Sequence, residues 1–256
     1  MWDYEPDWLP RGMELVDRPD LLMWRRTGGP VAQERWANRV SYVRTTGERV
    51  DRLIDEVFAF FRTQPFTWVV GPSSHPSDLA DRLRRSGLVD EGDGDLLSAE
   101  LPLGGLRTAR DLEIVEVSDA KLVRISLDLA HPDAGEAERS AMIEDRLEGL
   151  RRPGRLGGYL VAFLQGEPVA NAGYRYSTDG RTVYLSGAET VARFRDRGVY
   201  QSLVAYRADA AVKRGCRYAA IRARRDTSLP ILMKRGFANH GHLPIFRPTP
   251  GSESPA

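Results

Sequence analysis

Two stretches of this chain carry the same order of pattern (helix, strand, helix, glycine) 149 positions apart. In the first, Val50, Leu53, Ile54, Val57 and Phe61 recur at helical spacing, residues 66–70 read as a strand, and residues 77–85 form a second helical segment closed by Gly87. Moved along by 149, Val50 falls on Val199, Ile54 on Leu203, Leu83 on Leu232 and Gly87 on Gly236. Any two α/β segments align loosely, but these blocks keep one register throughout, so we read an internal duplication. A repeat of so long a period means paired domains and not a solenoid.

The second half is the richer copy. Leu112 to Val117 reads as a strand, residues 119–130 as a helix, and residues 136–151 as a helix with Met142, Ile143, Leu147 and Leu150 on one face, stopped by Pro153 and Gly154. Residues 159–164, 168–176 and 182–191 form a three-strand meander with turns at Gln165-Gly166 and Asp179-Gly180. A helix follows over 199–214, with Tyr200, Leu203, Val204, Ala208, Ala211 and Val212 inward and Gly215 as its C-terminal cap; then come a strand at 218–223, a short helix at 229–234 and extended pieces over 237–246. Residues 38–43 add a strand to the first half, and residues 96–103 read as extended. The class is α/β with a mixed sheet. Residues 101–110, with a Pro and a Gly pair, are the linker: domains are expected at 1–107 and 108–247, with a disordered tail at 248–256.

Composition removes several classes. Lys plus Arg is 37 and Asp plus Glu 36, so a net charge of +1 gives no field to gather nucleic acid or an acidic membrane. No apolar run approaches the roughly 18 residues of a membrane span, and the acidic start MWDYEPDW is not a signal peptide. A single cysteine, Cys216, excludes an intrachain disulfide framework, fits a reducing cytoplasm and reads as a buried small hydrophobe. His75, His240 and His242 lack metal spacing, and the acidic run 90–95 lacks the closing Glu of a calcium loop, so it reads as solvated and no metal is expected. The tryptophans, Trp2, Trp8, Trp24, Trp36 and Trp68, all lie in the first half without a basic stripe, which suits packing better than single-stranded nucleic acid.

Chemistry concentrates at residues 190–204: a strand end, a basic loop with Gly198 between Arg193, Arg195, Arg197 and the helix start. The first amides of a helix lack intrahelical partners and the helix dipole adds positive charge there, so this arrangement suits an anion such as a diphosphate. The bland reading is a solvated basic turn. Context decides between them, because a meander precedes the loop and helix, strand and helix follow it.

Residues 190–204 resemble motif A, R/Q-x-x-G-x-G/A, of the Gcn5-related N-acetyltransferase (GNAT) family, with Arg195, Gly198 and Tyr200 at its marked places. Residues 223–237 resemble the following motif, which ends in K-x-G-F, here Lys234-Arg235-Gly236-Phe237. The resemblance covers about residues 111–247 and implies the GNAT fold: a central mixed, mostly antiparallel sheet flanked by helices, here in two related halves. The first half resembles a degenerate copy. Its loop Thr46-Gly47-Glu48-Arg49 lacks the marked Arg and Gly, so no cofactor is expected there, and that half is expected to shape the acceptor cleft. The implied activity is transfer of an acetyl group from the co-substrate acetyl-CoA to a primary amine of a small molecule or peptide. Thr190, Val191, Arg195, Asp196, Arg197, Gly198, Val199, Tyr200, Thr227 and Ser228 would bind the cofactor, with pantetheine on the edge of strand 182–191. Glu189 is the first candidate for the base, against a solvated carboxylate paired with an arginine. Leu232 stands where many members place a tyrosine general acid, which leaves Ser228, then Thr227, to protonate the thiolate.

Tyr200, bulky where the motif is small, is expected to turn into the core. Tyr174 and Tyr176 share one face of their strand and Asn171 takes the other; His131 ends a helix toward the acceptor side. A non-catalytic acyl-CoA-binding accessory protein is the alternative, and a longer acyl chain a third reading. Neither nucleic acid nor a membrane is expected as partner, and monomer and homodimer both stay open.

Overall fold

The structure, a computed structural model, describes residues 9–249. Its elements in chain order are β1 (Met13–Arg18), β2 (Leu21–Arg26), β3 (Arg39–Val43), α1 (Val50–Phe61), β4 (Thr67–Val69), α2 (Leu79–Arg85), β5 (Leu88–Asp90), β6 (Gly94–Glu100), β7 (Leu112–Glu116), α3 (Ala120–Ala130), α4 (Glu136–Arg151), β8 (Gly157–Leu164), β9 (Glu167–Tyr176), β10 (Thr182–Thr190), α5 (Val199–Lys213), β11 (Tyr218–Arg224), α6 (Ser228–Met233), β12 (Ala238–His242) and β13 (Ile245–Pro248). The chain divides into two compact units: Gly94–Gly241, and the residues up to Asp93 joined by those from His242 onward.

In the unit that holds the start of the chain, six strands run in the order β1-β2-β3-β4-β13-β5. β3 and β4 are parallel, while β13 is antiparallel to both β4 and β5. α1 buries Val50, Leu53, Ile54, Val57, Phe58 and Phe61, the i, i+3, i+4 stripe of an amphipathic helix. Phe61 stacks on Phe66 at 4.3 Å between ring centroids, and Trp68 from β4 and Phe246 from β13 complete this core.

The other unit has seven strands in the order β12-β6-β11-β10-β9-β8-β7. β7 to β10 form an antiparallel meander, β10 and β11 are parallel, and β11 is antiparallel to β6. α5 lays Val199, Leu203, Val204, Ala208 and Ala211 on one face of this sheet, against Ala170, Ala172, Val183 and Leu185. α3 covers the opposite face of β9 and is capped by Asp119, whose Oδ1 accepts from the Leu122 amide at 2.9 Å.

The duplication is visible in both sheets. β1-β2-β3-β4 and β8-β9-β10-β11 have the same order and the same single parallel pair. α1 and α5 begin at Val50 and Val199, and α2 and α6 at Leu79 and Ser228, each pair 149 positions apart. The strand beyond each parallel pair is exchanged: β13, late in sequence, lies between β4 and β5, and β6, from the first half, lies between β11 and β12. The unit limits therefore fall at 93/94 and 241/242, while 107/108 lies in the irregular segment between β6 and β7.

Several readings need correction. β1, β2 and β5 went unread, though Leu21 to Trp24 is an unbroken buried run. Val212 is 40% exposed, because the inward stripe of α5 runs through Ala208 and Ala211 and turns past it. On α4 only Met142 of the apolar face is buried; Ile143, Leu147 and Leu150 are half-buried. The acidic run 90–95 is not simply solvated: Asp90 accepts from the Gly92 and Ile245 amides, and Asp95, 9% exposed, accepts from Arg225 and Asn239. Pro248 closes β13 and the Thr249 hydroxyl donates to Gly87 O, so these two residues are ordered; the rest of the expected tail, like Trp2 and Trp8, lies outside the described residues. Trp24 and Trp68 are buried, and Trp36 is 47% exposed. Among the described residues no helix is long and apolar enough to cross a membrane.

Candidate active site

The middle of the seven-stranded sheet is split. β10 and β11 pair only where Thr182–Tyr184 meets Tyr218–Ala220. Beyond that, β10 stays paired with β9 as far as Thr190, and β11 with β6 as far as Arg224, but not with each other. A wedge opens between two parallel strands, and backbone donors and acceptors line both its walls.

A bulge shapes one wall. The β9–β10 register shifts between Ser186 and Glu189, so that Gly187, at φ +50°, and Ala188 together oppose Ala172. Strict alternation would put Glu189 on the face of Val183 and Leu185, which α5 buries. The bulge reverses it: Glu189 sits opposite Asn171, exposed, on the α3 face. Asn171, 4% exposed, holds this place by donating its amide to Gly187 O (3.1 Å) and accepting from the Ala130 amide (3.2 Å) at the end of α3. His131 follows there as the C-cap of α3. Burial, with Arg146 and Arg139 of α4 adding to it, holds the His131 imidazole below its usual pKa, while Glu138 of α4 and Glu189 pull the other way. The imidazole is therefore neutral near pH 7 and electrostatically coupled to Glu189.

At the open end of the wedge lies the start of α5. Its N-cap, Gly198, is left-handed at φ +83° and makes no side-chain cap. The first bonded amide is that of Ser202, to Gly198 O, so the amides of Val199, Tyr200 and Gln201 lack intrahelical partners. The segment before β7 is pinned here: Arg107 N donates to Gln201 Oε1 (3.0 Å) and Ala109 N to Ser202 Oγ (2.8 Å). Arg195 Nε donates to Thr190 O at 3.3 Å, tying the loop to the end of β10, and Asp196 takes φ +61°. Arg193 is ion-paired with Glu167 and, with Arg197, lies over the Phe194 ring. Arg195 and Arg197 thus carry the basic charge at this helix start.

The structure gathers Thr190, Val191, Arg195, Asp196, Arg197, Gly198, Val199 and Tyr200 into this loop and first turn. Val199 is 1% exposed, so only its backbone faces the loop. Thr227 and Ser228 stand across the wedge in the β11–α6 turn, where Ser228 Oγ accepts from the Arg224 amide at 2.9 Å. Ser228 does not cap α6; Thr227 occupies that position without a capping bond. Leu232 is fully buried. Tyr174 and Tyr176 pack edge to face at 5.4 Å on the α5 side; burial and the Glu116 carboxylate, to which Tyr174 Oη donates at 2.6 Å, push the Tyr174 phenol well up. Cys216 is buried, its thiol donating to Gly180 O. Among the described residues no group of three or more His, Cys, Asp or Glu could hold a metal ion.

Residues 124–237 match the model of the acetyltransferase (GNAT) family. Solved structures extend the likeness to the whole fold. A GCN5-related N-acetyltransferase from Kribbella flavida superposes with a TM-score of 0.65 at 17% identity, over 94% of this chain and 91% of that one. A tandem GNAT protein from the clavulanic acid biosynthesis pathway, solved without acetyl-CoA, gives 0.67 at 13% identity over 97% and 86%. A conserved protein of unknown function from Staphylococcus epidermidis gives 0.64 at 16% identity over 94% and 96%. No curated protein matches in sequence. The two-copy GNAT fold read from the sequence is the fold of this chain, and acyl transfer is the chemistry of the family whose model residues 124–237 match.

One group escaped the sequence reading. Arg207 on α5 is 2% exposed under the β9–β10 pair, where it donates to Gly173 O and Ser186 O, inside the apolar stripe of Leu203, Val204, Ala208 and Ala211. Its position in that stripe, seven residues after Tyr200, was the available signal.

Proposed function

We propose that the unit of residues 94–241 transfers an acetyl group from acetyl-CoA to a primary amine of a small molecule or peptide. The observation that carries this reading is the wedge between β10 and β11 opening onto an uncapped α5 N-terminus. Uncapped amides and the helix dipole, with Arg195 and Arg197 beside them, suit a diphosphate. The unpaired edge of β10 suits an extended chain with amides, as pantetheine has. When bound, acetyl-CoA supplies an activated acetyl group as a thioester. Backbone N–H groups along the bulged part of β10 would polarise its carbonyl. Glu189, turned to the α3 face by the bulge, would take the proton that the ammonium must lose before it attacks, with neutral His131 as its neighbour. The Thr46–Arg49 loop of the other copy leads into α1 from Arg49, a right-handed residue where α5 has left-handed Gly198, and we assign it no cofactor.

The test is thiol release from acetyl-CoA across a panel of amines. Glu189→Gln should lower kcat by about 10²-fold and leave acetyl-CoA affinity unchanged. Binding without turnover of any amine would replace this reading with that of a non-catalytic acyl-CoA-binding protein.

A further inference from the structure

Arginines of α3 and α4 are matched to carboxylates, with one exception. Arg124 pairs with Glu136 at 3.0 Å, and Arg139 pairs with Asp128. Arg146 has only neutral neighbours. Its Nη1 donates to Ser126 Oγ of α3 at 3.0 Å, and its guanidinium lies over the Tyr159 ring, 3.9 Å from the centroid. On its own helix the places three and four residues away, where an acidic partner would stand, hold Met142, Ile143, Gly149 and Leu150. Burial pulls the guanidinium below its usual pKa, and Tyr159 alone pulls it back, so no carboxylate of the chain offsets this charge.

This cation stands on the same side of the sheet as Glu189. Tyr159 on β8 faces Gly173 on β9, which faces Ser186 on β10; the next rung is Val161, Asn171 and Glu189. Residues two apart on a strand share a face, so Tyr159 and Glu189 both rise on the α3 side. His131, at the end of α3, feels both groups: Arg146 lowers its pKa and Glu189 raises it. Arg146 and Tyr159 are half-buried and Glu189 is exposed, so all three keep contact with solvent.

A partly desolvated guanidinium loses hydration and here gains no counter-charge in return. Its planar fork, stacked on a ring, is already set to receive a carboxylate in two parallel hydrogen bonds. We infer that Arg146 is the specificity-determining residue of the acceptor cleft, and that the amine accepted there carries a carboxylate, which docks on Arg146. The inference rests on the acetyl-transfer reading above and names its acceptor class. Two strand spacings, about 10 Å, separate β8 beneath Arg146 from β10 with Glu189. The amine and the acid of the acceptor are therefore several bonds apart, as in a small ω-amino acid. The carboxylate makes and breaks no bond. It holds the chain so that the amine lies at Glu189, which takes its proton as nitrogen bonds to the acetyl carbon and sulfur leaves with the electron pair.

The test compares ω-amino acids of graded length with the carboxamides of the same lengths, as acceptors for wild type, Arg146→Gln and Arg146→Lys. Several methylenes separate the two ends, so acid and amide have amines of like basicity. Wild type should favour the best acid over its amide by about 10–100-fold in kcat/KM, the scale of hydrogen bonds to a charged group. Arg146→Gln should abolish that preference, with the loss in KM and not in kcat, and Arg146→Lys should keep part of it. Calorimetry should give the same acetyl-CoA affinity for all three, which shows that the variants are folded. Wild type that acetylates neutral amines as well as the acids overturns the carboxylate site while leaving acetyl transfer intact, and it does so even if a variant fails to fold. A preference that survives in Arg146→Gln removes Arg146 from the role. Turnover of no amine at all removes the transferase reading and this inference with it.

Discussion

Replacing Gly198 by alanine tests the start of α5 directly. At φ +83° the backbone is left-handed, a conformation that costs an ordinary L-residue about 1–2 kcal/mol. An added Cβ would also stand 3.4 Å from Arg107 O and from Ala109 N, tight against the segment that Gln201 and Ser202 pin. Together these give about 2 kcal/mol of lost stability. For a unit of this size each kcal/mol moves the melting temperature by about 2–4 °C, so the transition of the unit that carries α5 should fall by about 4–8 °C. Asparagine visits the left-handed region more readily, so Gly198→Asn should recover part of the loss. Scanning calorimetry of the full chain measures both, and titration with acetyl-CoA should show weaker binding by the alanine variant than by the asparagine one. If Gly198→Ala melts with wild type, or if the two variants are indistinguishable, the claim that a left-handed glycine sets the helix start is wrong.

Three other outcomes follow from the structure. Phe246→Ala should destabilise the unit built on β1 to β5 by about 3–5 kcal/mol, because this fully buried ring reaches that core from the late strand β13; a chain that melts unchanged would refute the strand exchange. Tyr174→Phe should cost about 0.5–1.5 kcal/mol through its bond to Glu116 while leaving acetyl-CoA affinity intact, and a lost affinity would place Tyr174 in the site. His131 has a folded pKa below its unfolded one, so the unfolded chain binds more protons and stability falls as pH drops through about 6.5. Denaturant midpoints between pH 7.5 and 5 should therefore fall further for wild type than for His131→Gln, and equal sensitivity would show that His131 is not held neutral.

Much of the fold was legible because local chemistry and tertiary structure agree. The apolar stripe of α1, the Asp-Gly and Gln-Gly turns of the meander and the glycine before α5 each specify their element within a few residues, and the 149-residue register carries over to the helix starts. The anion loop was legible for the same reason: Arg195, Gly198 and a helix start are neighbours in sequence. What stayed hidden depends on pairing at a distance. That β6 and β13 exchange sheets cannot be read from strands whose residues merely look extended. The reversal of Glu189 follows from the bulge at Gly187 and Ala188, which a period-two reading cannot foresee. The burial of Arg207 was hidden for the same reason: besides Leu203 O of its own helix, its acceptors are the carbonyls of Gly173 and Ser186, which the β9–β10 pairing sets side by side.

The central claim is that one copy of the duplicated fold, the one with the split sheet and the uncapped α5, binds acetyl-CoA. Calorimetric titration of the full chain with acetyl-CoA reads the stoichiometry directly. The account predicts one site per chain, weakened by Gly198→Ala. A stoichiometry of two would mean that the Thr46–Arg49 copy binds as well, and no binding would contradict the account at its root.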